Sequence, residues 1–409
     1  MQSLRDLKKR LDDWLDKPLD GFFVGASVAV AAAIVIGSLL LAERASEIAE
    51  EVGDVVSSDS TQEQKRSGES HSAEAAADST SGAQPVSAWP IDSTYAVAAD
   101  EGHAVYFGNG ASLDIADLSD PQRPTRKGHV TLPATPRDIA LSGGVAYVAL
   151  SDSLAGGEDR GTGGVFGVRA VDVSDPSAPQ VVGAFDADGP IEEIAVSGSH
   201  AYVIGEESGL RVLDVSDPRR MRQIGTYVPD GPESEANGVA AARGGGPVYL
   251  AAGESGLQVL DVSDPERPQL RSAVHVGGVA TGVAVSDGHA YLSCGAWSMV
   301  GEQGRPNDDW FEQGLRVLDL ARPARPQPVG AFEVGKPTMA VWAASDRAYA
   351  AVLLDGVRVA DVSEASRPRK VGVLWPAPRD LAAAKGRVYL ATGTGGLQVA
   401  KRSGRVRSQ

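Results

Sequence analysis

The sequence predicts an all-β fold, a seven-bladed β-propeller with four strands per blade and a last blade closed by the N-terminal strand, preceded by a transmembrane helix. Three observations lead there. One phrase recurs, as IADLSDPQRP (115–124), AVDVSDPSAP (170–179), VLDVSDPRRM (212–221), VLDVSDPERP (259–268), VLDLARPARP (317–326) and VADVSEASRP (359–368), with a degenerate seventh copy, QVAKRS, at 398–403. An aromatic strand phrase precedes each copy: HAVYF, VAYVAL, HAYVI, VYLAA, HAYLS, RAYAA and RVYLA. The 48 Gly and 24 Pro among 409 residues suit many short strands joined by turns better than helical layers. Repeats of about 45 residues carrying four strand signals are the mark of a propeller.

Within the third unit, IEEIAVSG reads as strand a, HAYVIG as b, GLRVLDV as c and RQIGTYV as d, with Gly, Ser, Asp and Pro between them. The nearly continuous apolar run of GLRVLDV is what a strand covered on both faces requires, and neighbouring blades supply that cover. Ser-Asp-Pro after strand c is turn chemistry, because Ser and Asp side chains accept backbone N–H bonds and Pro presets φ. The last unit has strands a to c but no strand d, whereas VSAWP at 86–90 precedes the first strand a as VGVLWP precedes the seventh. The N-terminal strand is therefore expected to complete the last blade, leaving no sheet unfinished.

Upstream of the repeats the character changes. Residues 21–42, GFFVGASVAVAAAIVIGSLLLA, carry no charge and suffice for a helix to cross about 30 Å of hydrocarbon. They are too long for the apolar core of a cleaved signal peptide, so a signal anchor is expected. Arg5, Lys8, Lys9, Arg10 and Lys17 precede the span and place segment 1–20 in the cytoplasm, with the propeller periplasmic or extracellular. Residues 43–85 hold ten Asp or Glu against three Lys or Arg and no aromatic residue, a composition that reads as a flexible acidic stalk. The propeller then occupies 86–403 and a basic tail 404–409.

The net charge of -16 argues against a nucleic-acid partner, whose phosphates demand clustered Lys and Arg. Cys294 is the single cysteine, so no internal disulfide and no cysteine metal site can form. No GxSxG, HExxH, P-loop or EF-hand phrase occurs, and no cofactor or metal is expected.

With LDVSDP at 213–218 and 260–265 and looser copies elsewhere, residues 86–403 resemble the LVIVD-repeat family of bacterial and archaeal surface proteins. The resemblance implies a propeller on a cell envelope and supplies no catalytic residue. Departures from the phrase are Ala321-Arg322 in the fifth unit, Glu364-Ala365 in the sixth and Lys401 in the seventh, which bear on turn geometry there.

Candidate site residues fall into two groups. Asp138, Glu193 and Asp380 begin strand a in units two, three and seven, at the expected mouth of the central channel, and Trp342 stands where most other units have Ala. Paired carboxylates there could work as acid and base, although Arg137 and Arg379 beside two of them favour simple ion pairing. The second group is set by a count. From strand b to the strand-c Asp the interval is 12 residues in five units, as from Tyr202 to Asp214, but 25 in unit two and 28 in unit five. Insertions of 13 and 16 residues thus enter equivalent loops, carrying Glu158, Asp159 and Phe166, and Trp297, Arg305, Asn307, Asp308, Asp309 and Trp310. Long loops on a rigid scaffold commonly carry function, and aromatic with polar residues is the composition of recognition surfaces. The recurring Asp117, Asp172, Asp214, Asp261, Asp319 and Asp361 read as structural caps of the turn. The reading reached from sequence is a membrane-anchored, noncatalytic protein-binding or scaffold module whose partner is an envelope protein or surface ligand. The alternative is an extracytoplasmic hydrolase or lyase using the channel-mouth carboxylates.

Overall fold

The computed structural model describes residues 85–401 apart from 90–92, 101, 103, 121–122, 152–163, 206–208, 230–234, 243, 296–312 and 353–354. Segment 1–20, the expected span 21–42, nearly all of the stalk and the tail 404–409 lie outside the described residues. Among the described residues no helix is long and apolar enough to cross a membrane.

Seven four-stranded antiparallel sheets follow one another along the chain. Blade 3 shows the plan: strand a is Glu193–Ser197, b His200–Gly205, c Gly209–Asp214 and d Arg222–Tyr227. Strand a pairs with b, b with c and c with d, in register Ala195↔Tyr202↔Val212↔Gly225. Strands b and c are buried on both faces, as their unbroken apolar runs require, while strand d alternates exposed and half-buried residues at the rim. The innermost strands are Val97–Ala99, Pro136–Ser142, Glu193–Ser197, Gly238–Ala241, Val279–Ser286, Thr338–Ala344 and Asp380–Ala384. Each packs on the next, and the seventh on the first, so they form a closed ring.

The core lies between blades rather than inside one. Val105, Phe107 and Leu118 of blade 1 share a buried cluster with Tyr389, Leu397 and Val399 of blade 7. Of the central tyrosines of strand b, Tyr202, Tyr291, Tyr349 and Tyr389 are each no more than 1% exposed. Pro85–Trp89 closes the ring as strand d of blade 7, antiparallel to strand c at Leu397–Lys401, with Pro85 opposite Ala400 and Trp89 opposite Leu397. Thr94 and Gly393 add two reciprocal backbone bonds of 2.9 and 2.7 Å between blades 1 and 7.

The turns obey the repeated phrase. Each of Asp117, Asp172, Asp214, Asp261, Asp319 and Asp361 accepts, through Oδ1, the N–H two residues on, at 2.7–3.1 Å. Bonds from the Ser two residues on lower these carboxyls, through its hydroxyl and then its N–H at Asp172 and Asp214, and through its N–H and then its hydroxyl at Asp261 and at Asp117, which is held at about 2. In units five and six the strand-c Asp keeps its cap, from Ala321 and Ser363, and the turn keeps its backbone bond, Arg325 N–H to Arg322 O and Arg367 N–H to Glu364 O. In units two to four the second Asp, Asp175, Asp217 or Asp264, accepts a further N–H two residues on.

Strand d carries a second, quieter repeat. A Cβ added to Gly128, Gly183, Gly225 or Gly330 would lie 1.8–2.4 Å from the carbonyl oxygen of Pro176, Pro218, Pro265 or Ala365 in the next blade's turn. Glycine there lets each turn nest against the preceding blade. At the equivalent position of blade 4 stands Ser272, and blade 5, which follows it, is the unit whose turn reads Ala-Arg-Pro.

Candidate functional site

Strand pairing fixes two faces. Asp138 lies opposite Ala149 near the end of strand b, and Val279 opposite Gly295, so strands a begin where the b-to-c connections leave. We call this the entry face. The a-to-b and c-to-d turns lie on the opposite, turn face. The two insertions therefore leave from the entry face, between Ser151 and Phe166 and between Gly295 and Gly314. Phe166 is half-buried at the start of strand c, and its carbonyl accepts the N–H of Ala187 at 3.0 Å. Glu158, Asp159, Trp297, Arg305, Asn307, Asp308, Asp309 and Trp310 lie outside the described residues.

Asp138, Glu193 and Asp380 occupy one register position of the inner ring, two residues before the residue paired with the strand-b tyrosine. Ala96, Gly238, Gly282 and Ala340 hold that position in the other blades. Each acid reaches into the following blade. Asp138 Oδ2 accepts the N–H of Ile194 at 2.8 Å, Glu193 Oε2 that of Val239 at 2.9 Å and Asp380 Oδ2 that of Val97 at 2.7 Å. The second oxygens of Asp138 and Asp380 accept from Ile139 at 2.7 Å and Leu381 at 2.6 Å. Backbone donors, which cannot move away, thus take these acceptor positions. In blade 4 no side chain fits there, for a Cβ on Gly238 would lie 2.7 Å from Cα of Gly282.

Trp342 pairs with Tyr349 as Ala140 pairs with Tyr147, and its indole N–H donates to Asp380 Oδ1 at 3.0 Å. It packs against the blade 6–7 core while tying blade 6 to the carboxylate that grips blade 1. Arg137 lies over the Tyr95 ring, 5.8 Å from its centroid.

Enclosure by protein raises all three carboxyls above the ordinary range, although channel water still reaches part of each side chain. Burial contributes most. For Asp380 and Glu193 the charge of Asp138 adds to it, and the Glu193 carboxyl is pushed up to about 8. Glu193 thus retains a proton near neutrality. Among the described residues no group of three or more His, Cys, Asp or Glu is arranged to hold a metal ion. Cys294 is fully buried, and His200 and His289 stand on separate blades at the turn face.

The repeated phrase located these acids, yet two features escaped it: the bonds between blades and the partnership of Trp342 with Asp380. A carboxylate at one register position in three units was the signal available; its partners depend on how the next blade is set.

Seven four-stranded sheets around a closed inner ring, the last completed by the N-terminal strand, make this chain a seven-bladed β-propeller. The LVIVD repeat is detected in it, at residues 95–131, 135–155, 167–187, 188–228 and 240–276. No curated protein matches the sequence. Among solved structures, the β-propeller domain of Myceliophteria thermophila Cps50 (Swd1) is similar with a TM-score of 0.58 at 9% identity, covering 77% of this chain and 99% of that one. A chain of the mitotic checkpoint complex gives 0.58 at 11%, covering 84% and 100%. The WD40 domain of Neurospora crassa Pan2 gives 0.51 at 12%, covering 77% and 90%. At such identities the likeness concerns the fold alone.

Proposed function

We propose that this propeller is a noncatalytic binding or scaffold module, anchored through residues 21–42 and held outside the cytoplasm on the stalk 43–85. The observation that carries the reading is the pairing of a uniform scaffold with two long insertions on one face. Five blades keep the same b-to-c length, so the insertions in blades 2 and 5 are departures that the fold itself does not call for. Both leave from the face on which the channel opens. The acids at the channel mouth are occupied in holding neighbouring blades, which favours a structural role for them over acid–base chemistry.

The recognition surface is then the entry face, with Trp297 and Trp310 as its aromatic anchors. Trp297→Ala with Trp310→Ala is expected to leave the far-ultraviolet circular dichroism unchanged and to abolish capture of the envelope partner recovered with the wild-type chain. Undiminished capture would place the interface elsewhere. Protease added to intact spheroplasts is expected to release a propeller-sized fragment, and a propeller protected until lysis would overturn the anchor.

A further inference from the structure

Three successive blades bring two arginines and a tyrosine together at the channel mouth. The position just before the channel acids is Arg379 in blade 7, Tyr95 in blade 1 and Arg137 in blade 2. Glu192, Asn237, Thr281 and Met339 hold it in the other blades, so at this position cations occur on one arc only, bounded on the blade 3 side by Glu192. Blades 7, 1 and 2 pack through their inner strands, and Asp380 Oδ2 reaches the N–H of Val97, two residues from Tyr95, at 2.7 Å.

Tyr95 is the floor of the arc. A Cβ on Gly393, in the b-to-c hairpin of blade 7, would lie 3.8 Å from Tyr95 Cε1, and the Arg137 guanidinium lies over the ring, 5.8 Å from its centroid. Attraction to the ring holds that guanidinium at the mouth. Arg379 is fixed from the blade 7 side, where its backbone N–H donates to Ala391 O at 2.7 Å. Its side chain makes no ion pair among the described residues. Although water reaches it, enclosure by the surrounding chain lowers its pKa; Tyr95 opposes that shift and the charge of Arg137 adds to it. The carboxylates next in the chain, Asp138 and Asp380, accept backbone N–H groups.

We propose that this arc binds a carboxylate presented by an acidic peptide segment of the partner; the proposal deepens the entry-face reading above and rests on it. Two like charges held side by side repel each other, and a carboxylate between them relieves that repulsion, its two oxygens accepting from the guanidinium forks. Tyr and Arg are also residue types on which binding energy concentrates. The chain as a whole carries a net charge of -16, so its long-range field favours basic molecules. An acidic segment is held only where local contacts outweigh that field.

The test uses the full chain in neutral detergent and a fluorescein-labelled octaglutamate peptide, followed by fluorescence anisotropy at low salt. Arg137 also packs on Tyr95, so Arg379→Gln, on an exposed side chain, is the first variant. Binding is expected to weaken about tenfold in Arg379→Gln and in Arg137→Gln, and to vanish in the double variant with the circular dichroism unchanged. Arg379→Lys, which keeps the charge without the fork, should fall between Arg379→Gln and the wild type. The wild-type signal should fade at about 1 M salt, where the Debye length is about 3 Å. Labelled octalysine controls for bulk charge and should bind the double variant no less than the wild type. Octaglutamate that fails to bind the wild-type chain, or that binds the double variant equally, overturns the proposal. Binding that appears only after deletion of residues 57–80 assigns the arc to the chain's own acidic stalk and overturns the partner segment. Inorganic phosphate that displaces the peptide at equal concentration makes the occupant a free anion and overturns the peptide. The capture test on Trp297 and Trp310 is independent of these outcomes and judges the entry-face reading by itself.

Discussion

Gly183→Ala asks whether blades are held apart by the carbonyl that nests on strand d. The added methyl carbon would lie 1.8 Å from Pro218 O, 2.8 Å from Pro218 C and 3.1 Å from Arg219 Cα. An ordinary carbon–oxygen contact is about 3.5 Å, so one backbone must retreat by roughly 1.5 Å. Neither is loose: Gly183 lies within the strand Gln180–Asp186, and Pro218 opens a 3-10 turn capped by Asp217. Overpacking typically costs 1–3 kcal/mol, and a clash between two backbones belongs at the upper end, about 3 kcal/mol. At roughly 2 °C per kcal/mol for a domain of this size, the melting temperature should fall by about 6 °C. Gly372→Ala is the matched control. It occupies the same place in blade 6, but among the described residues nothing lies within 4 Å of its added Cβ, because the strand d of blade 7 comes from the N-terminus and no c-to-d turn follows. That variant should be neutral or gain about 0.4–1 kcal/mol from the reduced entropy of the unfolded chain. Differential scanning calorimetry of the two variants decides the matter. Melting points within 1 °C of each other, on the order of experimental scatter beside the expected gap, would refute the nesting argument.

Three further outcomes follow from the same geometry. Deleting residues 84–92 should lower the melting temperature by far more than deleting 57–65, because the first leaves blade 7 with an unpaired edge; equal melting points would tell against closure by Pro85–Trp89. Because Glu193 titrates near 8 when folded and near 4.5 otherwise, the native state holds a proton that the unfolded chain releases between those values. Its stabilising contribution is then full below about pH 4 and lost as pH rises toward 8, the reverse of the turn aspartates, whose contribution is lost on acidification. Glu193→Gln, which keeps an acceptor for Val239, should flatten the fall of melting temperature between about pH 5 and pH 8; an unchanged slope would remove Glu193 as its source. Trp342→Phe, which keeps an aromatic ring but removes the donor to Asp380, should cost about 0.5–1.5 kcal/mol in chemical denaturation, and a neutral result would reduce Trp342 to core filling.

Much of this molecule is legible from its repeats. The SDP phrase and the aromatic strand phrase recur because every blade solves one problem, a four-stranded sheet whose inner strands are covered on both sides. The period, the strand order and the missing seventh strand d are therefore all visible in one dimension. The turn aspartates are legible for a related reason: their bonds reach only two residues along the chain, and local chemistry is written locally.

What the tertiary structure decided is what happens between blades. Asp138, Glu193 and Asp380 were recognisable as repeated acids, but their acceptors are used by Ile194, Val239 and Val97, as many as 283 residues away. The backbone donors that use them come into reach only when the ring closes. The strand-d glycines are as regular as the SDP phrase, yet their meaning lies in a carbonyl of the following unit. Sequence by itself determined the blade, because a blade is built from neighbours along the chain. Only closure of the ring decided how blades grip one another, because those distances exist only when the seventh blade meets the first.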